Sequence, residues 1–210
     1  TLECLADNGI KFTILAPRQA RRVRALMPEN AKWVDVEGEK IDPTRPYLQR
    51  LPNGRSIVIF FYDGPISRAV AFENLLQNGE RFADRLIGAF LETRDWPQIV
   101  SIATDGETYG HHHKHGEMAL AWALHNIESR KAAKLINFGA YLEKYAPTHE
   151  VEIIENTSWS CIHGIDRWRA NCGCNSGGHP GWSQEWRKPL REALDWLRDK
   201  TWELAEPLGR

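Results

Sequence analysis

Ser56-Ile-Val-Ile-Phe-Phe-Tyr62, closed by Asp63-Gly64, is an apolar run without polar alternation. A strand with one wet face alternates polar and apolar residues, whereas a strand covered on both faces reads as continuous. Ile99-Val-Ser-Ile-Ala103 repeats the pattern and runs straight into Thr104-Asp105-Gly106-Glu107. Between them lies a helical stripe of Phe72, Leu75, Leu76, Phe82, Leu86 and Phe90, interrupted at Asn78-Gly79. Buried strands alternating with helices predict an α/β fold with parallel strands, either an open sheet or a barrel. In both, chemistry gathers at the carboxyl ends of strands, here 62–64 and 104–107.

Working outward, residues 11–17 read as a strand closed by Pro17. Residues 19–26 read as a basic helical turn or short helix. Residues 31–52, punctuated by Pro43, Pro46 and Pro52, read as loop with a short strand at 33–36. A helix is predicted over 115–129 with Met118, Ala121, Trp122 and His125 on one face. Another is predicted over 132–145 and a strand over 151–154. The stretch 156–187 has no periodicity, and Pro189 opens a last helix with Leu190, Leu194 and Leu197 inward.

A net charge of −1 gives no reason to expect a nucleic-acid partner. The longest apolar run falls far short of the roughly 20 residues of a membrane span, so no membrane partner is expected. The chain opens at Thr1 without an initiator Met or a leader pattern, as a fragment would. Four cysteines without a regular framework fit a reducing, cytoplasmic setting better than a secreted one. Nine tryptophans are many for 210 residues, and Trp159, Trp168, Trp182, Trp186, Trp196 and Trp202 crowd the last quarter with Cys161, Cys172 and Cys174.

Three constellations could carry chemistry. The first is Asp105-Gly-Glu107-Thr-Tyr-Gly-His111-His112-His113. Asp105, just past a buried strand, is placed where a scaffold holds a carboxylate in a cleft as a general acid. The plainer alternative is an Asx-turn capping the next helix. Asp105, Glu107 and one of His111, His112 or His113 would also make a carboxylate–imidazole set for hydrolytic Zn²⁺ or Mn²⁺. The second is Cys161-Ile-His163 with Cys172-Gly-Cys174, three thiols and an imidazole that suit tetrahedral zinc. A local disulfide or buried thiols are the alternatives. Trp159 and Trp168 in this polar stretch offer flat faces of the kind that stack on sugar rings. The third is Asp63, which either lines the cleft or caps the helix beginning near Ile66.

Four stretches together resemble glycoside hydrolase family 57, the retaining α-glucan-active α-amylases, glucanotransferases and branching enzymes. They are Gly9-Ile-Lys-Phe-Thr-Ile-Leu-Ala-Pro-Arg-Gln-Ala20, Asp63-Gly-Pro-Ile-Ser-Arg-Ala-Val-Ala-Phe-Glu-Asn74, Ala103-Thr-Asp-Gly-Glu-Thr-Tyr-Gly-His-His112, and 159–174. The chain resembles most its long α-amylase/α-mannosidase-like branch. The resemblance implies the C-terminal part of an incomplete parallel (β/α)7 barrel over 1–155, an irregular Trp/Cys/Gly-rich insertion over 156–187, and a terminal helix over 188–210, without a separate second domain. It makes Asp105 the catalytic general acid/base, since 105–110 match the family's D-x-E-x-aromatic-G motif. Glu107, His111, His112, Asp63, Trp159, His163 and Trp168 then face an oligo- or polysaccharide substrate. No cofactor is required beyond an optional structural zinc on Cys161, His163, Cys172 and Cys174.

A retaining glycosidase needs a second carboxyl group about 5–5.5 Å from the first. The family's nucleophilic Glu motif is absent here, so it is expected upstream of Thr1 and the isolated chain is expected to be inactive. Two rival readings remain: a metal-dependent polysaccharide deacetylase-like hydrolase, and a non-catalytic glycan-binding or zinc-stapled module.

Overall fold

The computed structural model describes residues 1–174 and 178–209. The chain divides into two compact units, Thr1–Ile154 and Glu155–Arg210.

The first unit opens with helix α1 (Leu2–Asp7) and is built on a six-stranded mixed sheet. Its strands are β1 (Phe12–Leu15), β2 (Ala20–Ala25), β3 (Val34–Asp35), β4 (Tyr47–Arg50), β5 (Ser56–Phe61) and β6 (His149–Ile153), in the order β1-β5-β4-β6-β2-β3. The β1–β5 and β4–β6 pairs are parallel, but β4–β5, β2–β6 and β2–β3 are antiparallel. The sheet is therefore open and mixed where the sequence suggested parallel strands throughout. The apolar run of β5 has the expected cause. Ile57, Ile59 and Phe61 pack on one face with Ala20, Tyr47 and Val151, while Val58 and Phe60 pack on the other with Ile99 and Tyr141. Burying Phe60 and Phe61 completely contributes roughly 1.5–3 kcal/mol each.

Residues 20–25 form a strand rather than a helical turn. Arg22 and Arg24 alternate with Val23 at the period of a strand, and each lies opposite a glutamate in register, Glu152 and Glu150. Arg22 donates to both Glu152 carboxylate oxygens at 2.8 and 2.7 Å, and Arg24 pairs with the buried Glu150. Both guanidiniums lie over the Trp33 ring, at 4.7 and 4.6 Å. β4, inside the stretch read as loop, hairpins onto β5 through a turn at Pro52-Asn53-Gly54.

The expected strand at 99–103 makes no ladder. It is an extended segment held at separate points: Ile99 N–H to the Thr44 carbonyl (2.9 Å), Ser101 carbonyl from Asp63 N–H (2.8 Å), and Ala103 N–H to Ser67 Oγ (3.0 Å).

The helices follow the sheet as α2 (Gly64–Phe72), α3 (Gly79–Ile87), α4 (Gly116–Ser129) and α5 (Phe138–Lys144). The predicted stripe from Phe72 to Phe90 breaks because Asn74 turns into the left-handed region and Asn78 caps α3 through Oδ1 to Arg81 N–H. Phe72 is consequently 81% exposed, while Leu75, Leu76 and Phe82 are buried. On α4 the buried stripe is Gly116, Ala119, Ala123 and Ile127, whereas Met118 is exposed and the partly exposed Trp122 lies beside Gly79 of α3. α3 passes close at this point: a Cβ at Gly79 would lie 3.0 Å from the Trp122 ring and 3.1 Å from the Ala119 carbonyl oxygen. α5 is shorter than expected, since Asn137 accepts from Ala140 N–H and starts it there.

The second unit contains α6 (Asp166–Arg169) and α7 (Arg187–Ala205). Helix α7 has no buried residue; Leu190, Leu194 and Leu197 are about half exposed instead of inward, and Pro189 sits within its first turn. Residues 175–177, inside the predicted 156–187 segment, lie outside the described residues. Among the described residues no helix is long and apolar enough to cross a membrane.

Candidate active site

In the first unit the polar groups that follow β5 and the 99–103 segment are tied together by one hydroxyl. Asp63 caps α2, its Oδ1 accepting from Ile66 N–H at 2.8 Å. Of the two roles open to Asp63, capping is thus in place. Ser67, in the same first turns, donates to the Asp63 carbonyl at 2.6 Å and accepts from Ala103 N–H at 3.0 Å. A buried serine therefore fixes the backbone two residues before Asp105. Sequence reasoning did not single out Ser67; an isolated Ser in a helix carries no motif.

Asp105 is exposed and stands at the N-cap of a 3₁₀ turn over Gly106–Thr108. Its carbonyl accepts from Thr108 N–H at 3.0 Å, yet its side chain makes no capping bond. The plain Asx-cap reading of this carboxylate does not apply. A Cβ at Gly106 would meet nothing within 4 Å, so the approach to the turn is open. The loop beyond is ordered by its own backbone. The Glu107 carbonyl accepts from His111 and His112 N–H at 3.1 and 3.0 Å, and the His113 carbonyl accepts from Gly110 and Gly116 N–H.

The three histidines separate as adjacent residues must. His112 Nε2 lies 3.5 Å from Glu107 Oε2, with the two side chains 54% and 75% exposed, and the His111 ring packs edge-on against His112. His113 is the partly buried one, donating from Nε2 to the Ala71 carbonyl at 2.9 Å. That bond pins the loop to the end of α2. The half-buried Tyr109 phenol, hydrogen-bonded to Thr104, is pushed above its ordinary range by burial. Asp105, Glu107, His111 and His112 thus share one loop, and Asp63 joins it through Ser67.

Trp159, His163 and Trp168 belong to the second unit. The two tryptophans are 56% and 49% exposed. His163 lies in a cluster with Cys161, Cys172 and Cys174, whose Nδ1 or Nε2 and Sγ atoms all fall within 4.8 Å of one another. The cysteines are free thiols: Cys161 Sγ is 3.4 Å from Cys174 Sγ, well beyond a disulfide's roughly 2.05 Å. The local disulfide is thereby set aside. The Cys174 backbone hydrogen bond draws the Cys172 thiol down, whereas the side-chain bond with Cys161 pushes Cys174 up to about 11. Among the described residues this is the one group of three or more such side chains spaced to hold a metal ion. Asp105, Glu107 and the loop histidines do not converge in that way.

The chain is similar in structure to the 4-alpha-glucanotransferase of Thermococcus litoralis, with a TM-score of 0.54 and 16% identity, over 97% of this chain and 27% of that one. It is likewise similar to an exo-type maltose-forming amylase of Pyrococcus sp. ST04, with a TM-score of 0.64 and 15% identity, over 95% of this chain and 36% of that one. The chain thus spans about a third or less of the length of these two proteins. No curated protein matches it. Residues 182–210 match a domain of unknown function (DUF3536). Residues 1–154, most of the chain and all of the first unit, match the sequence model of glycosyl hydrolase family 57, and to that family the chain belongs.

Proposed function

We propose that the chain is the acid/base-bearing part of a retaining α-glycoside hydrolase or transglycosylase acting on an α-glucan-type polysaccharide. Asp105 is its general acid/base. It protonates the leaving glycosidic oxygen and then deprotonates the water or acceptor sugar that releases the glycosyl-enzyme. The observation that carries this reading is the placement of Asp105: an exposed carboxylate not used in capping, on a turn whose approach is open, with the preceding backbone held by Ser67. The nucleophilic carboxylate, required about 5–5.5 Å away, belongs in this reading to the portion of the catalytic domain preceding Thr1. The chain alone would then be inactive, and the reaction needs no cofactor.

Glu107, His111, His112 and Asp63 (through the oxygen that does not cap α2) supply hydrogen bonds to sugar hydroxyls. Trp159 and Trp168 supply stacking faces. The parallel pair β1–β5 is what this chain would contribute to a parallel (β/α)7 barrel spanning 1–155, since β4 and β6 run opposite to it, with 156–187 and 188–210 as its insertion and terminal helix. A deacetylase-like metal centre on Asp105, Glu107 and histidine is disfavoured, because those groups do not converge as ligands. Asp105→Asn in the full-length protein tests the proposal: turnover of α-glucan should be abolished while oligosaccharide affinity is largely kept. Full turnover would overturn it, and would favour a glycan-binding module without catalysis.

A further inference from the structure

Among its described residues the second unit has no ordinary apolar core. Those that are buried are Ser158, Cys161, Gly164 and Gln184, of which only Cys161 is hydrophobic. All of them surround the thiol cluster. Ser158 Oγ accepts from Cys161 N–H at 3.2 Å, Gly164 N–H donates to the Cys161 carbonyl at 3.0 Å, and Gln184 donates to the Cys174 carbonyl. A unit of this size without an apolar core requires another source of stability, and a structural metal is one of the few available.

Three of the four ligand atoms are spaced for one, and the fourth, Cys172 Sγ, lies within 4.8 Å of each of them. Tetrahedral zinc, with Zn–S near 2.3 Å and Zn–N near 2.0–2.1 Å, sets its ligand atoms about 3.5–3.8 Å apart. Here Cys161 Sγ and Cys174 Sγ are 3.4 Å apart, Cys161 Sγ and His163 Nδ1 3.6 Å, and His163 Nδ1 and Cys174 Sγ 3.1 Å. The backbone is shaped to the same end. Gly164 and Gly173, at φ +61 and +79, turn the chain directly after His163 and between Cys172 and Cys174. A side chain at Gly164 would collide with the Asn156 carbonyl.

We propose that Cys161, His163, Cys172 and Cys174 bind one zinc ion that serves as the structural centre of the second unit. Four protein ligands fill the tetrahedron, leaving no position for substrate or a reactive water, so the site is structural rather than catalytic. Three thiolates outweigh the ion's two positive charges by one. Arg187, whose Nη1 is 3.6 Å from Cys172 Sγ, supplies the compensating cation from the start of α7. Gln184 and Arg187 also bond one another at 3.1 Å, which couples the occupied site to the register of α7. Binding requires the thiols to lose their protons and leaves His163 neutral, so uptake releases protons and weakens in acid.

Elemental analysis of the purified full chain, grown with zinc and freed of loosely held metal, should find one zinc per chain. Cys161→Ser and Cys174→Ser should find none. Should those variants fail to fold, Arg187→Gln removes only a supporting group and should weaken zinc binding roughly 10–100-fold. Cobalt(II) added to the metal-stripped wild type should give the intense visible bands and sulfur-to-metal charge-transfer absorption of a tetrahedral thiolate site. Absence of zinc together with a featureless cobalt spectrum would overturn the proposal. A disulfide among the three cysteines in the native protein, or full zinc occupancy in Cys161→Ser, would do the same.

Discussion

Replacing Ser67 by Ala removes the hydroxyl that joins the α2 cap to the backbone before Asp105. Two hydrogen bonds are lost, one to the Asp63 carbonyl at 2.6 Å and one from Ala103 N–H at 3.0 Å. The Asp63 carbonyl keeps a partner, because it also accepts from Ser67 N–H at 3.0 Å. Ala103 N–H loses its tie, but Ala103 is exposed and water can replace part of it. The cost therefore falls at the low end of the roughly 1–3 kcal/mol of an unsatisfied group. Ala in place of Ser within α2 returns about 0.5 kcal/mol of helix propensity. The net is a loss of about 0.5–1.5 kcal/mol, or roughly 1–6 °C in Tm for a chain of this size. The local effect is the sharper test: the Ala103 amide should exchange with solvent up to about tenfold faster, as about 1.4 kcal/mol implies. In the full-length protein the same change should lower kcat with little change in KM, since Asp105 is loosened rather than removed. Unchanged exchange at Ala103 with unchanged Tm would refute the claim that Ser67 positions this segment.

Gly79→Ala should destabilise the chain by about 1–3 kcal/mol, because the new methyl would meet Trp122 at 3.0 Å and the Ala119 backbone oxygen at 3.1 Å; equal or higher stability in urea unfolding would contradict the α3–α4 packing. His149 is held below its ordinary 6.5 by burial and by Arg45, which donates to Nδ1 at 3.0 Å. The unfolded chain then takes up a proton that the native chain does not, so stability falls as pH drops below about 6.5. His149→Asn should flatten that part of the profile relative to wild type, above the carboxylate range near 4.5; identical slopes in denaturation series would contradict it.

What the sequence revealed depended on whether one local pattern decided each element. The run at 56–62 could only be covered on both faces, and it is. The periodicity of Arg22-Val23-Arg24 was equally readable as a strand, but its meaning lies in Glu150-Val151-Glu152, more than a hundred residues on, so the pairing was invisible locally. β4 was hidden by prolines that frame it rather than forbid it. On α4 the sequence grouped Met118, Ala121, Trp122 and His125 on one face, but the buried stripe is Gly116, Ala119, Ala123 and Ile127, a choice set by the neighbouring α3 and not by the local pattern. At the site, the 105–113 loop was conspicuous, yet the inward histidine, His113, is identified only by the Ala71 carbonyl it meets. Ser67 carried no signal at all. The thiol cluster shows the reverse: an unusual spacing in sequence becomes a compact ligand set once Gly164 and Gly173 bend the chain.

The most direct measurement for the account is chemical rescue of Asp105→Ala in the full-length protein, using an aryl α-maltooligoside whose phenolate leaves without protonation. Loss of the acid/base should slow α-glucan turnover by about 10²- to 10⁴-fold, while the aryl substrate still forms the glycosyl-enzyme. Azide, needing no base, should then attack that intermediate and restore turnover, releasing the α-glycosyl azide with net retention. Wild-type turnover in Asp105→Ala, or a β-azide product, would contradict the assignment of Asp105 as the acid/base of a retaining enzyme.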